Sequence, residues 1–398
     1  MINKIIVSIG LLAAASLAFG QAQPGDVVPA SSVIITQPPI PPLTTMHTNY
    51  FIHATGGVIK ATATPAGETP ASLACIYDLV STPITGCPIA TAREVPTGGS
   101  GVIVIVEAFD YPSAAADLKT FSTEFGLPAP NFAVKYATGI KPVNGCTLGW
   151  SGEEALAIEW AHAMAPNAQI VLMEAASNTD VALYEAVTEA NSYIAAHGGK
   201  GEVSMSWGGS ETSTEASSDH YFEQPNVVYF ASTNAFLGVS YPSSSVNVIS
   251  AGGTQVNRNG ANYTNQTAWS DGGGVSLYES KPLFQDNVSG IVGAHRSTPD
   301  LSFSSSGISP VAVYNSSCYG GWLQLYGTSL SAPALAGIIN SAGTFHASSI
   351  AENTEIYANR AITSDFTDIT SGSCGTNSAT AGYDVCTGVG VDKGFHGK

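Results

Sequence analysis

Positive charge is scarce in this chain of 398 residues: Lys and Arg total 13 against 30 Asp and Glu, for a net charge of −17. That balance argues against nucleic acid or an anionic membrane as a partner, because both are bound through clustered cations. Charge of either sign is in fact thin, at 11% of residues, where an ordinary soluble domain carries ~25%. With abundant Ser, Thr, Gly and Ala, such a composition suits an exported protein that tolerates acid, where carboxylates lose their charge. No apolar run after residue 19 reaches membrane-spanning length, which speaks against a downstream anchor. The chain has no Cys-x-x-Cys pair and no cluster of His beside its cysteines, so cysteine-based metal ligation is disfavoured. No internal repeat is visible.

What is present begins with Met1 to Lys4, carrying one side-chain positive charge, followed by the apolar run 5–19 and the small residues Ala18, Gly20 and Ala22. Residues 1–22 read as a secretory signal, too short and wrongly flanked for a stable span. The mature protein is expected to be secreted and extracellular, and to be a monomer. Roughly 375 residues remain, enough for one large domain or two moderate ones. Six cysteines in an exported chain suggest disulfides. Cys75 with Cys87 and Cys374 with Cys386 each enclose a short loop and are expected to pair, while Cys146 and Cys318 either join distant segments or stay free. Asn262, Asn265, Asn287 and Asn315 lie in glycosylation sequons.

Residues 23–65 are rich in Pro, Thr and Ala without periodicity and read as an extended arm. From about residue 66 the texture changes. Gly98-Gly99-Ser100-Gly101 precedes the buried-strand run 102–106. Ser113 follows as a possible helix cap, then Leu118, Phe121 and Phe125 at helical spacing, with Gly126 and Pro128 as a stop. The cycle recurs: a helix over about 152–164, a strand over 170–173, a helix with Leu183, Val187, Ala190 and Ile194 on one face, and strands near 202–206, 227–231 and 248–251. Alternating strands and helices imply a parallel sheet covered on both faces. Its chemistry is then expected at the carboxyl ends of strands, in the turns after Ser206, Ala231 and Ala251.

One further segment, Tyr326-Gly327-Thr328-Ser329-Leu330-Ser331-Ala332-Pro333, runs into the apolar stretch 334–339. A serine opening a buried helix lies beside unpaired N–H groups and the positive end of the helix dipole, which suits a nucleophile. Thr328, Ser329 and Ser331 would serve equally as helix caps, and the segment alone leaves both readings open. For a base, none of the eight histidines has a distinguishing setting. Glu153, opening a helix after Gly149-Trp150-Ser151-Gly152, does.

The stretch from Glu153 to Pro166 resembles the base-bearing helix of the sedolisins, the serine-carboxyl peptidases. Glu107-Ala108-Phe109-Asp110, Phe125–Pro128, Val203–Gly209, Tyr241-Pro242, Gly252-Gly253-Thr254, Pro299–Ser302, Gly327–Pro333, Asp368-Ile369-Thr370 and Gly382-Tyr383-Asp384 are similar to that family's landmarks and follow its order over residues 66–398. The resemblance implies an α/β, three-layer αβα subtilisin-like fold: one large domain around a mostly parallel sheet, acting on peptides or unfolded protein. It assigns Ser329 as nucleophile and Glu153 as general base. It also exposes two gaps. The carboxylate that the family places one helical turn after the base is Ala157 here. The aspartate that helps hold the oxyanion in the loop 231–238 is read as Ala235. Asn234 beside it is either an amide donor to the oxyanion or a residue suited to a left-handed turn. Glu107 and Asp110, just past the first strand, either approach Glu153 or serve as structural or substrate contacts; the second reading is preferred, and no acid is an evident replacement partner for Glu153. The family's long propeptide has no counterpart of similar length in the arm.

The resemblance implies one structural calcium ion, bound through the side chains of Asp368 and Asp384 and the carbonyls of Ile369, Thr380 and Gly382; this oxygen-only set suits a hard cation. The expectation is a secreted sedolisin-type peptidase homologue that is weak or inactive. Three other readings stay open: an active acid endopeptidase, a non-enzymatic peptide-binding protein, and an esterase using Ser329.

Overall fold

The computed structural model describes residues 22–34, 44–236, 238–270 and 272–398, so all but the last residue of the segment read as a secretory signal lie outside it. Two short strands come first, β1 (His47–Thr48) and β2 (Phe51–Ile52), then helix α1 (Pro70–Ile76). Strands and helices then alternate: β3 (Val102–Ala108), α2 (Ala114–Glu124), β4 (Asn131–Tyr136), α3 (Trp150–Met164), β5 (Gln169–Ala175), α4 (Asp180–Ala196), β6 (Gly201–Met205), β7 (Trp207–Ser210) and β8 (Val227–Ser232). The second half is richer in strands: β9 (Ser240–Tyr241), β10 (Ile249–Asn259), β11 (Asn262–Ala268), β12 (Gly274–Ser280), α5 (Ser289–Val292), β13 (His295–Thr298), β14 (Leu301–Ser304), β15 (Val311–Asn315) and β16 (Gly321–Tyr326). Helices α6 (Thr328–Ala342) and α7 (Ser349–Asn359) precede the closing strands β17 (Phe366–Thr367), β18 (Ser373–Cys374), β19 (Asn377–Ser378) and β20 (Val391–Asp392).

The central sheet runs in the order β17-β20-β14-β10-β8-β6-β3-β5-β4. From β20 to β4 every neighbour is parallel; β17 and β11 add antiparallel pairings. Alternation along the strands builds the layers. Ile103 and Ile105 of β3, with Ile170 and Leu172 of β5, pack under α3 and α6 on one face. Val102, Val104 and Val106, with Val171 and Met173, pack under Leu183, Val187, Ala190 and Ile194 of α4 on the other. The result is the three-layer αβα arrangement that the sequence implied.

One small residue sets how closely the two site helices approach. A Cβ on Gly337 of α6 would lie 2.7 Å from Met164 Cβ and 2.9 Å from Ala161 O of α3, so only glycine lets the two helices approach this closely. Both helices begin above the carboxyl ends of the strands, which brings Glu153 and Ser329 to one place. That place lies where strand order reverses, with β3 flanked by β5 on one side and β6 on the other.

The described part of the arm is not loose. β1 pairs antiparallel with β7, β2 pairs antiparallel with β16, and Tyr50, Phe51 and Ile52 are buried. Disulfides join Cys75–Cys87, Cys146–Cys318 and Cys374–Cys386. The two local pairs are as expected, and the third ties segments 172 residues apart. Among the described residues no helix is long and apolar enough to cross a membrane.

Candidate active site

Gly327 precedes α6 with φ 130°, and a Cβ there would fall 2.1 Å from the carbonyl oxygen of Asn49. The hydroxyls that follow do not cap the helix. Thr328 Oγ1 donates to Thr233 O at 2.6 Å, Ser329 Oγ donates to Ser206 O at 3.3 Å, and Ser331 Oγ bonds Ser305 Oγ at 2.7 Å. The capping reading of this segment therefore falls away. The helix-terminal N–H of Ser329 instead donates to Asn49 O at 3.3 Å, and Ser329 Oγ accepts the N–H of Asn49 at 2.9 Å.

Glu153 stands in the first turn of α3. Burial pushes its pKa well above the ordinary carboxylate range, and the hydroxyls of Ser329 and Ser206 beside it pull in the opposite direction. Neither of its oxygens makes a hydrogen bond of proper geometry. Glu107, near the carboxyl end of β3, is also fully buried. Its pKa is raised first by burial and then by the charge of Glu153, while the Ser206 N–H, 3.3 Å from Glu107 Oε1, favours the anion. The sequence alone allows an approach of Glu107 to Glu153 and favours a structural or substrate-contact role; the structure buries Glu107 close enough for the charge of Glu153 to act on it. Its signal was present in the position of Glu107 at a strand's carboxyl end. Asp110 lies apart from this pair, bonded to Lys141 at 3.0 Å.

More carboxyls gather behind them. Glu174 of β5 is the register partner of Glu107; burial raises its pKa to about 8. Glu154 is raised well above normal by burial, with the charges of Glu174 and Glu107 adding to it. Oxygens of Glu107, Glu153, Glu154 and Glu174 are buried without a hydrogen-bond partner among the described residues. Carboxyls crowded this way favour the protonated form.

At the two expected gaps, methyl groups stand where acids were sought. Ala157 is fully buried in the core beneath α3 and α6. Ala235 is fully buried among Phe51, Phe236, Trp269 and Tyr326, and its N–H donates to Asn49 Oδ1 at 3.1 Å. Asn234 makes a local turn, its Oδ1 accepting the N–H of Phe236 at 3.0 Å; its φ is not positive, so the left-handed reading does not hold. Asn49, which nothing in the sequence singled out, also donates through Nδ2 to Ser232 Oγ at 2.9 Å.

In the C-terminal loop, Asp368 Oδ2 accepts the N–H of Gly382 at 2.8 Å. Asp384 accepts the N–H groups of Thr380, Cys386 and Thr387, each at 2.9 Å. The two carboxylates and the segment 380–384 thus come together, and Cys374–Cys386 closes the loop. Among the described residues no group of three or more His, Cys, Asp or Glu is placed to hold a metal. A cation here would have to draw on backbone carbonyls, which is the set expected from Ile369, Thr380 and Gly382 and fits calcium.

The geometry offers a buried hydroxyl at a helix N-terminus, a carboxyl base beside it, and a backbone N–H able to bind a developing oxyanion. No family model matches the chain. Sedolisin of Pseudomonas sp. (strain 101) is 41% identical over 112 residues, covering 25% of this chain and 18% of that protein. Kumamolisin of Bacillus sp. (strain MN-32) is 26% identical over 294 residues, covering 65% of this chain and 52% of that protein. The chain thus spans between about a fifth and about half of the length of these curated relatives. The solved structure of Pseudomonas sedolisin, a serine-carboxyl proteinase complexed with two molecules of pseudo-iodotyrostatin, superposes with a TM-score of 0.67 at 24% identity, over 83% of this chain and 96% of that one.

Proposed function

We propose that the chain, which is similar to sedolisin and kumamolisin in sequence and to sedolisin in fold, is an exported serine-carboxyl peptidase homologue of the sedolisin family whose acyl-transfer machinery is retained in part and works slowly or not at all. The supporting observation is the meeting of Ser329 and Glu153 at the N-termini of two close-packed helices, with buried methyl groups at Ala157 and Ala235. In the reaction, Glu153 takes the Ser329 proton as Oγ attacks a peptide carbonyl, then gives it to the amine that leaves as the C–N bond breaks. The Ser329 N–H faces the oxyanion, and water then releases the acyl group. Loss of one oxyanion donor lowers turnover by about 10²–10³, and loss of the group orienting a base by about 10⁴; the two are not additive. Glu107 does not fill the second role, because charge alone links it to Glu153 and no hydrogen bond between them orients the base.

Asp368, Ile369, Thr380, Gly382 and Asp384 would hold a calcium ion whose role is to stiffen the C-terminal loop rather than to take part in the chemistry. Export is supported by three disulfides, which persist in oxidising compartments. The functional test is hydrolysis of an unfolded protein from pH 3 to 7 by the chain and by Ser329→Ala. The expected result is turnover at or near the background set by Ser329→Ala. Rapid turnover that vanishes in Ser329→Ala would establish an active endopeptidase instead.

A further inference from the structure

Away from Ser329, the side chains of Lys398 and Asp392 meet with no exposure to solvent. Asp392 closes β20, where it lies opposite Phe366 of β17. The chain then folds back. The N–H of Lys393 donates to Asp365 O at 2.9 Å and that of Gly394 to Tyr77 O at 2.8 Å. Gly394 and Gly397 take φ values of 69° and 80°, which glycine adopts without strain. The fold-back returns Lys398 to Asp392. Its Nζ lies 3.2 Å from Asp392 Oδ1 and 4.9 Å from the centre of the Phe366 ring, and donates to His396 O at 2.8 Å. Glu352 of α7 is fully buried and feels the charges of both Asp392 and Lys398.

A buried ion pair would be the plain reading of this contact, and the same chain shows what one looks like. Arg296 and Asp300 are also fully buried, but the Asp300 carboxylate accepts from Ser250 N–H, Asn353 Nδ2 and Tyr357 Oη as well as from Arg296. Asp392 has no such support. Neither of its oxygens, and neither of those of Glu352, is satisfied by a hydrogen bond among the described residues; His346 Nε2 stays 3.6 Å from Glu352 Oε2. Such a setting is costly for charges kept only as an anchor. An amine, a carboxyl in contact with it and a second unbonded carboxyl, walled by an aromatic ring, are the parts that amide formation needs. We infer that Lys398 and Asp392 become joined by an isopeptide bond, with Glu352 as the proton carrier. Burial favours the neutral Asp392 carboxyl, and a proton passed across the contact leaves a neutral amine facing a neutral acid. Nζ attacks Asp392 Cγ; the C–N bond forms, the C–O bond breaks, and the hydroxyl leaves with an amine proton as water. Glu352, raised to about 8 chiefly by burial, takes a proton from the nitrogen and returns one to the leaving oxygen, so it ends as it began. Fixed proximity supplies the driving force, and a dry site protects the product from hydrolysis. The bond is independent of Ser329 and of whether that serine cleaves anything.

Trypsin reads the bond directly, because Lys393 lies between the two partners. The folded full chain is denatured, digested and weighed. In a linked chain the piece 394–398 stays attached to the piece 361–393, and the joined species weighs one water less than the two together. Lys398→Arg keeps the positive charge but should release the two pieces unjoined. Glu352→Gln should slow the appearance of the joined species after refolding by about 10²-fold or more, the scale of general acid–base help. Complete separation of the two pieces in the parent would overturn the inference and leave an ion pair only. Joining at the parent rate in Glu352→Gln would overturn the role of Glu352. If Glu352→Gln does not fold, the parent and Lys398→Arg still decide whether the bond exists.

Discussion

At the residue scale, Glu153 is the proposed base, and burial opposes its ionisation. Burial raises the pKa of both Glu153 and Glu107, and the charge of Glu153 raises that of Glu107 further. The folded-state pKa of both is raised, so the stability they contribute is full below the ordinary Glu value and is lost as pH rises through the raised one. Replacing Glu107 by Gln removes one of the two burdened carboxyls and the repulsion on the other. Thermal melts of Glu107→Gln should therefore show a smaller loss of Tm between pH 5 and 8 than the parent. An unchanged slope would mean that the two carboxyls do not interact. The residue scale is also where the sequence was least informative. Ser329 and Glu153 were legible because helix-opening positions carry chemistry. Asn49 was not, because its contacts come from strand pairings formed across 159 and 275 residues of chain, as in Thr48 with Trp207 and Phe51 with Tyr326.

Among the elements, α3 and α6 decide whether base and nucleophile meet. Their contact depends on Gly337, where even a methyl would press on Met164 and Ala161. Gly337→Leu should cost about 1–3 kcal/mol through overpacking and move Glu153 away from Ser329; denaturant unfolding measures the first. No loss of stability would contradict the tight packing. The strand–helix alternation from Val102 to Ser206 was readable because one period, two in strands and near 3.6 in helices, dominates each segment. Helix α3 is found two residues earlier than read, because Trp150 and Ser151 are buried and continue the first turn. Ser113 precedes α2 without capping it, since its hydroxyl bonds the Asp117 carboxylate instead. The 23–65 segment lacks periodicity, so its strands were invisible: they have two residues each and owe their form to the edges they join.

Across the whole molecule, buried acids set the response to pH. Burial raises Glu174, Glu202, Glu215 and Glu352 to about 8. In each case the folded value exceeds the unfolded one, so stability is greatest near or below pH 4.5 and falls toward pH 8. His162 opposes this, because burial lowers it to about 4 and its contribution is lost between 6.5 and 4. Four carboxyls outweigh one imidazole. Calorimetry should give a higher Tm at pH 5 than at pH 8, and the reverse order would refute this account of the buried carboxyls. Such a profile matches a chain with few charges. Removing calcium with a chelator should lower Tm relative to excess calcium, by the equivalent of about 2–3 kcal/mol if the ion is present at a hundred times its Kd. No change would leave the C-terminal loop held only by Cys374–Cys386 and its own N–H bonds.

The account holds that Ser329 and Glu153 form a peptidase pair lacking its supporting acids. The most direct measurement is turnover of an unfolded protein at acid pH by a chain carrying Ala157→Asp and Ala235→Asp, against the same chain with Ser329→Ala. The account predicts Ser329-dependent cleavage at least about 10²-fold above the parent, the scale of one restored oxyanion donor. Folded double variants that cleave no faster than the parent would contradict it.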